Sequence, residues 1–186
     1  MLKILIRGLL KLLYRLDVHG SLPSAAKTLV VANHQSFLDA AILFACLPAN
    51  ALWVVQTQVL QQALFRVLLK RVDHIVIDTT NPFALKSTVE VIESGRPVVI
   101  FPEGRVTVTG TLMKVYDGPA LIAAKTACTV APIIIDGAVR AKGFSRMSGD
   151  FPLALFPKIH VTFCPGTTIP MPEGASCKIR RRKAGE

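Results

Sequence analysis

The sequence is poor in aromatic and in charged residues. Aromatic side chains account for 6% of its 186 residues and charged side chains for 18%, whereas 51% of the residues are hydrophobic. This composition excludes global disorder, because the chain has ample apolar surface to bury, and its length suits a single domain. Proteins that bind nucleic acids commonly stack bases on aromatic side chains. With few of these and no zinc-finger, helix-turn-helix or RNA-binding signature, we expect no nucleic-acid partner.

Acidic residues and paired cysteines are also scarce. The chain has 12 Asp and Glu against 22 Lys and Arg, a formal net charge of +10. A chain that is both basic and apolar suits a bilayer surface, which is anionic outside and apolar within. There is no C-x-x-C pair, and Cys46 and Cys164 lie in apolar segments, which indicates buried, reduced thiols. We therefore expect a peripheral protein at the cytoplasmic face of the inner (plasma) membrane.

No uninterrupted apolar run approaches the roughly 18 residues that a membrane-spanning helix needs. Near the N-terminus a cation recurs every four residues, at Lys3, Arg7, Lys11 and Arg15. This spacing predicts a helix over residues 1–16 with one basic stripe and an opposite apolar side formed by Leu2, Leu5, Ile6, Leu9, Leu12 and Leu13. Such a helix is typical of segments that lie in the headgroup plane, with basic side chains contacting anionic lipid. An ordinary amphipathic helix packed on the core is the alternative, and the two interpretations are compatible.

Beyond this helix, apolar segments alternate with helical patterns. Strands are predicted over residues 28–32, 51–55, 74–77, 97–101, 130–135 and 158–164, the last as an edge or antiparallel strand. Helices are predicted over residues 36–47, 59–70, 81–95 and 118–128. The pattern indicates an α/β fold with a mixed, mostly buried sheet flanked by helices on both faces. We expect one domain over residues 17–175, with a long loop at 140–157, and a basic tail or linker start over 176–186.

A polar segment, NHQSFLD, follows the first buried strand directly. Loops at strand ends are where α/β sheets place reactive groups. Ser36 and Asp39 match a capping box with Ser36 as the N-cap, which alone is a structural role. Because side chains in the first helical turn lean toward the N-terminus, Asp39 is also expected to lean over His34. With His34 outside the helix, the carboxylate can hold one imidazole nitrogen and leave the other as a base; the alternative is a purely structural histidine.

A second polar segment, FPEGR, follows another buried strand. Pro102 ends that strand, and Gly104 permits close approach of the backbone to a ligand. Arg105 offers a planar fork that suits phosphate, and Glu103 can accept hydrogen bonds from hydroxyls; neither has an evident reason to be buried. Lys114, in the loop that follows, either adds positive charge or is simply solvated. The alternative for the whole segment is a solvated turn with a surface ion pair.

The H-x-x-x-x-D and F-P-E-G-R segments, with the apolar segment VAPI that begins at Val130, resemble the glycerolipid acyltransferase family, which includes the 1-acylglycerol-3-phosphate acyltransferases. The agreement covers nearly the whole chain. The resemblance implies that His34 takes the proton from a lipid hydroxyl as it attacks an acyl thioester, while Asp39 orients the imidazole. It further implies that Glu103, Gly104 and Arg105 hold glycerol and phosphate. Acyl carrier protein or CoA would carry the acyl group, with no cofactor, metal or covalent acyl-enzyme.

One departure from that family bears on the acceptor. Many members carry Ile-Asp-Arg where this chain has Ile-Asp followed by Thr79, so one phosphate-binding cation is missing unless Lys70, Arg71 or Lys114 replaces it. A phosphodiester carries one negative charge and a phosphomonoester nearly two, which favours a lysophospholipid over lysophosphatidate.

A finer resemblance points the same way. TLVVANHQSFLDAAIL and the ending RRRKAGE resemble bacterial bifunctional members in which an acyl-activating domain follows the acyltransferase half. These act on 2-acylglycerophosphoethanolamine, and we expect that acceptor here. The alternatives are a 1-acylglycerol-3-phosphate acyltransferase that makes phosphatidate, and an inactive module that docks on membranes or on acyl carrier protein.

Overall fold

The computed structural model describes residues 1–57, 69–70, 72–77, 83–171, 173 and 183–185. Its main helices are α1 (Leu2–Tyr14), α2 (Asp39–Cys46), α3 (Phe83–Glu93) and α4 (Gly118–Thr126). The strands are β1 (Asp17–His19), β2 (Thr28–Ala32), β3 (Leu52–Gln56), β4 (His74–Ile77), β5 (Val98–Ile100), β6 (Thr129–Asp136), β7 (His160–Phe163) and β8 (Thr167–Thr168). A 3-10 turn, Ala138–Arg140, follows β6.

The strands form one mixed sheet in the order β1-β7-β6-β2-β5-β3-β4, with β8 beside β6. Among the strands described, the pairings are parallel except those of β6 with β7 and with β8. β2 lies between β6 and β5, so that Val30 is paired with Ala131 on one side and Val99 on the other. Parallel neighbours end at the same edge of a sheet, where α/β proteins place their sites. Strand order therefore brings together the two polar segments that follow β2 and β5.

Helices cover both faces of the sheet, as predicted. On one face α1 and α2 pack over the sheet, with Leu43 of α2 and Val30 of β2 in the same buried cluster. On the other face α3 and α4 do so, with Ile122 of α4 and Leu29 of β2 in a second cluster. Successive strand residues point to opposite faces, so adjacent apolar residues of β2 belong to different cores. The continuous apolar run in this strand is thus explained by burial on both sides.

Most element boundaries agree with the sequence-based prediction, β2 and β4 with identical bounds. Of the two alternatives predicted for β7, an edge or an antiparallel strand, the second is confirmed, because β7 is antiparallel to β6 and its other side pairs with β1. α2 begins at Asp39, three residues later than predicted. Residues 141–157 contain no helix or strand apart from an isolated bridge between Ala141 and Ala154, as expected of a long loop. The predicted helix over 59–70 and the tail over 176–186 fall almost wholly outside the described residues.

Helix α1 packs on the core along one side and is exposed along another. Leu10 and Tyr14 are buried, and the Lys3 ammonium donates a hydrogen bond to the Leu47 carbonyl at the end of α2. Burial lowers the pKa of Lys3. The exposed surface has an apolar part, which comprises Met1, Leu2, Ile4, Leu5, Leu9 and Leu12, and the cations Arg7, Lys11 and Arg15 are exposed as well. Packing on the core is therefore confirmed, a leucine-rich side stays open, and Lys3 contacts protein where lipid contact was expected.

Within the described residues, no helix combines the length and the apolarity that crossing a bilayer requires. The cysteines for which the structure gives a position are free, with Cys128 buried and Cys46 and Cys164 half-buried. Burial raises the pKa of the Cys46 and Cys128 thiols, which keeps both protonated and weakly nucleophilic near neutral pH. The expectation of buried thiols is met fully only at Cys128.

Candidate active site

An imidazole and a carboxylate meet in the loop between β2 and α2. Nδ1 of His34 lies 2.9 Å from Oδ2 of Asp39. The Asp39 side chain is fully buried, whereas that of His34 is 14% exposed. His34 stands outside the helix, as the sequence predicted, whereas Asp39 is the first residue of the helix and was expected three residues after the N-cap. No described residue is hydrogen-bonded to Nε2, the other ring nitrogen, so it can act on a ligand.

Ser36 satisfies the rest of the Asp39 carboxylate. Its N–H donates to Oδ2 over 2.8 Å, and its hydroxyl donates to Oδ1 over 3.0 Å. The Ser36 oxygen in turn accepts from the Leu38 N–H at 3.1 Å. The predicted capping box is therefore only half formed, because the serine hydroxyl bonds the aspartate side chain instead of the aspartate N–H. Buried and bonded in this way, Ser36 is held as a support for Asp39 and is not placed as a nucleophile.

Glu103 fixes the backbone of His34. One carboxylate oxygen accepts from the His34 N–H and the other from the Met113 N–H, each at 2.8 Å. The Thr107 N–H donates to the His34 carbonyl, also over 2.8 Å. Glu103 is 2% exposed, so the expectation that it has no reason to be buried is wrong. Its carboxylate positions the histidine, and a direct contact with substrate hydroxyls stays a prediction.

Two further contacts were not predicted. The Phe101 ring, just past β5, stacks on the His34 ring with centroids 4.0 Å apart and planes 15° apart. The Asn33 amide donates to the Ile135 carbonyl and accepts from the Ile135 N–H, both at 2.8 Å, which ties the end of β2 to β6. Both contacts join residues that are far apart in the chain. They could be predicted only if the order of the strands in the sheet were known.

Gly104 stands where a side chain would be strained. Its φ of +65° lies in the left-handed region that glycine tolerates best. An added Cβ would come within 2.6 Å of Nε2 of Gln56, at the end of the neighbouring strand β3. The group that lies close to Gly104 in the structure is therefore the Gln56 side chain. The predicted approach of the backbone to a ligand stays a prediction.

Two of the predicted site residues, Arg105 and Lys114, are cations in the loop after β5. Arg105 is exposed, and the described part of the chain offers it no ion-pair partner. Lys114 is also exposed, with Nζ 5.6 Å from the Tyr116 ring centroid, within range of a cation–π contact. Lys70, Lys114 and Arg71 were the predicted substitutes for the missing family arginine. Lys70 and Lys114 are exposed, whereas Arg71 lies outside the described residues, as does Thr79, which stands in the place of that arginine. Two exposed cations therefore belong to the segment whose Glu103 bonds the His34 backbone.

Comparison with known proteins shows the family to which the chain belongs. The sequence profile of the family described as Acyltransferase matches residues 15–136, which include both polar segments. A 1-acyl-sn-glycerol-3-phosphate acyltransferase of Helicobacter pylori strain J99 is 30% identical over 130 residues, 67% of this chain and 54% of that protein. A protein of the same name from Cocos nucifera is 25% identical over 127 residues, 66% of this chain and 41% of that protein. The chain thus spans about half the length of the curated relatives it matches.

A solved structure shares the fold. The crystal structure of a 1-acyl-sn-glycerophosphate (LPA) acyltransferase from Thermotoga maritima aligns with a TM-score of 0.65, over 98% of this chain and 75% of that chain. The sequence identity is 20%, so this likeness bears on the fold alone. The finer resemblance to bifunctional bacterial members stays a prediction.

Proposed function

Because the chain belongs to the acyltransferase family, we propose that it transfers a fatty acyl group from an acyl thioester to a free hydroxyl of a glycerophospholipid. The observation that carries the proposal is the His34–Asp39 pair. Nδ1 lies within hydrogen-bond distance of a buried carboxylate, and Nε2 has no described partner, at the end of the sheet where β2 and β5 finish. An imidazole held in one tautomer by a carboxylate is suited to act as a general base.

The step follows from this geometry. Nε2 of His34 takes the proton of the acceptor hydroxyl as its oxygen attacks the thioester carbonyl carbon. The Asp39 carboxylate stabilises the imidazolium that forms. Collapse of the tetrahedral intermediate breaks the carbon–sulfur bond, and the departing thiolate receives the proton from the imidazolium. The products are an ester and a free thiol, of CoA or of acyl carrier protein.

The acceptor we propose is 1-acylglycerol-3-phosphate. The names of the curated relatives support it over 2-acylglycerophosphoethanolamine, the acceptor expected from the sequence. Arg105 and Lys114, both exposed in one loop, supply two positive charges for a phosphomonoester that carries nearly two negative ones. A lysophospholipid remains the second candidate because Thr79 stands where many family members have an arginine.

The protein acts at a membrane surface, at the cytoplasmic face of the inner membrane. The exposed leucines of α1 support this, as does the loop after Arg105, whose exposed apolar residues are Val108, Leu112, Val115 and Tyr116. Met113 ties that loop to Glu103, so this apolar surface lies beside the site. Phe156, exposed in another loop, packs edge-to-face on Tyr14 of α1, with ring centroids 5.6 Å apart. These surfaces can enter the headgroup region, where the acceptor lies.

A transfer assay with labelled acyl groups tests the chemistry. His34→Ala should lower the rate by about 10²–10⁴-fold, the contribution of a positioned base, while leaving the thermal midpoint nearly unchanged. His74→Ala is the matched control, since His74 lies on edge strand β4 with Nδ1 3.2 Å from the Val72 carbonyl. Activity of His34→Ala within about tenfold of the wild type would contradict the proposal.

The same assay decides the acceptor. Lysophosphatidate and lysophosphatidylethanolamine are offered in parallel vesicles, each with acyl carrier protein and CoA donors. We expect faster transfer to lysophosphatidate, and Arg105→Ala should cost about 1.5–3 kcal/mol in kcat/KM for it, as for a lost hydrogen bond to a charged group. Lys125→Ala, an exposed cation in the last turn of α4, should change nothing. Preference for lysophosphatidylethanolamine would instead favour the second candidate.

A further inference from the structure

Two histidines and an aspartate converge at the opposite end of the sheet from β4. Asp17 and His19 belong to β1, and His160 of β7 is the registered partner of Asp17. Residues two apart in a strand share a face, as do paired residues, so the three side chains stand together. Their ligand atoms all lie within 4.8 Å of one another. We propose that they form a binding site for a divalent transition-metal ion of the Zn²⁺ type.

Two of the three separations between ligand atoms suit a tetrahedral ion. Oδ2 of Asp17 lies 3.3 Å from Nε2 of His19 and 3.6 Å from Nδ1 of His160. Ligands bonded at about 2.0–2.1 Å to a tetrahedral Zn²⁺ are about 3.3–3.4 Å apart. Both separations exceed the usual hydrogen-bond range of about 2.7–3.2 Å, so the carboxylate and the rings approach without hydrogen-bonding. Imidazole and carboxylate are also ligand types that Zn²⁺ prefers, and three of them leave a fourth position for water.

Two neighbours bear on this site. Lys158 has Nζ 3.8 Å from Oδ2 of Asp17 and competes with a cation for the carboxylate. Its side chain is 51% exposed and can move into solvent. Asp136 of β6 is the registered partner of His160 on its other side, which adds negative charge to the same face. Without an ion, the cluster is a solvent-facing group of polar side chains in which Asp17 pairs with Lys158 and also with either of the two histidines that is protonated.

An ion at this site would stabilise the pairing of β1 with β7. β1 has three residues and is the edge strand next to β7 in the described sheet. It follows α1 almost directly, so its pairing anchors the helix that carries the exposed leucines. An ion that bridges β1 and β7 would hold this strand in place, because binding to the folded state alone stabilises that state.

Zn²⁺ titration of the purified, chelator-treated full chain tests the proposal by calorimetry and by thermal midpoint. We expect about one ion per chain and a raised midpoint. Asp17→Asn, His19→Ala and His160→Ala should each weaken binding by at least about tenfold and remove most of the rise in midpoint. Lys158→Met should strengthen binding, since it removes the competing charge.

His74→Ala and His34→Ala are the controls, and both should bind Zn²⁺ like the wild type. Failure of the wild type to bind would overturn the proposal, as would binding that survives both His19→Ala and His160→Ala. Binding lost in His34→Ala would place the ion at the acyl-transfer site and would equally overturn it. None of these readouts depends on acyltransferase activity.

Discussion

At the scale of the residue, His34 is held by four contacts of different kinds. Asp39 bonds its ring nitrogen, Phe101 stacks on the ring, Glu103 accepts from its N–H, and Thr107 donates to its carbonyl. Three of these partners come from the segment after β5 and the loop that follows it. A general base must lie within hydrogen-bond distance of the proton that it removes. Holding the imidazole in one position therefore favours the reaction, because a displacement of about 1 Å can lower the rate strongly.

Glu103→Gln tests whether this carboxylate positions the histidine or binds substrate. Both of its oxygens accept from backbone N–H groups, and an amide can present only one oxygen, so one N–H would face an NH₂ group. We expect a loss of about 1–3 kcal/mol in the free energy of unfolding, measured by denaturant titration, together with a lower kcat.

Glu90→Gln is the control for this prediction, since that side chain is 63% exposed on α3 and its change should stay within about 0.5 kcal/mol. A Glu103→Gln protein with wild-type stability but a raised KM for the acceptor would favour the substrate-binding role expected from the sequence.

At the scale of the element, the turn after β5 depends on one glycine. Gly104 and Gly143 both have positive φ, of 65° and 84°, but only Gly104 has atoms close to where a Cβ would lie. The nearest atom is the end of the flexible Gln56 side chain, which can rotate away. The stability cost at both positions should therefore come mainly from the left-handed backbone.

Gly104→Ala and Gly143→Ala form a matched pair. Each should lower the free energy of unfolding by about 1–2 kcal/mol, but only Gly104→Ala should also reduce transfer activity, because it displaces Gln56 beside the site. Denaturant titration and the transfer assay measure the two effects. Equal activity of both variants would mean that the turn can shift without disturbing the histidine.

Helix α1 has separable apolar sides. Leu5, Leu9 and Leu12 are 69%, 53% and 78% exposed, whereas Leu10 is 4% exposed. Changing the three exposed leucines to serine should weaken binding to liposomes, measured by co-sedimentation, and leave the thermal midpoint almost unchanged. Leu10→Ala should do the opposite, at a cost of about 2–5 kcal/mol in stability, because it empties a packed position. Unchanged liposome binding in the triple variant would make α1 a purely structural helix.

At the scale of the whole molecule, we expect the net charge of +10 to act together with the exposed apolar surface in binding to a membrane. Arg7 and Lys11 are exposed on α1, and each cation near an anionic surface contributes about 1 kcal/mol. Binding to anionic vesicles should therefore fall as salt rises, because exposed charges are screened beyond about 8–10 Å at physiological ionic strength. Binding to neutral vesicles, which depends on the leucines, should change little. A salt-independent affinity for anionic vesicles would show that the basic excess does not take part.

Local patterns determined much of this protein. Six of the eight described strands, β2 to β7, the described helices between them and the covering of both sheet faces could be predicted, because periodicity and burial are properties of short segments. The short strands β1 and β8 were not predicted. The His34–Asp39 pair is five residues apart, so the geometry of one strand end and one helix start was enough to predict it. The capping box was only half right, because several hydrogen-bonding patterns satisfy the same polar groups of a short loop.

Only the tertiary structure decided how distant segments meet. Glu103 bonds His34 across 69 residues, and Asp17 stands beside His160 from the other end of the chain. These contacts depend on the order of the strands in the sheet. That order comes from the packing of the whole chain, because short apolar strands are too similar for the local sequence to select which two of them pair. The sequence alone therefore determined which residues are chemically able to act as a base or to bind an anion. The sheet decided which of these residues are in contact, because the pairing of strands depends on contacts between segments that are distant in the sequence.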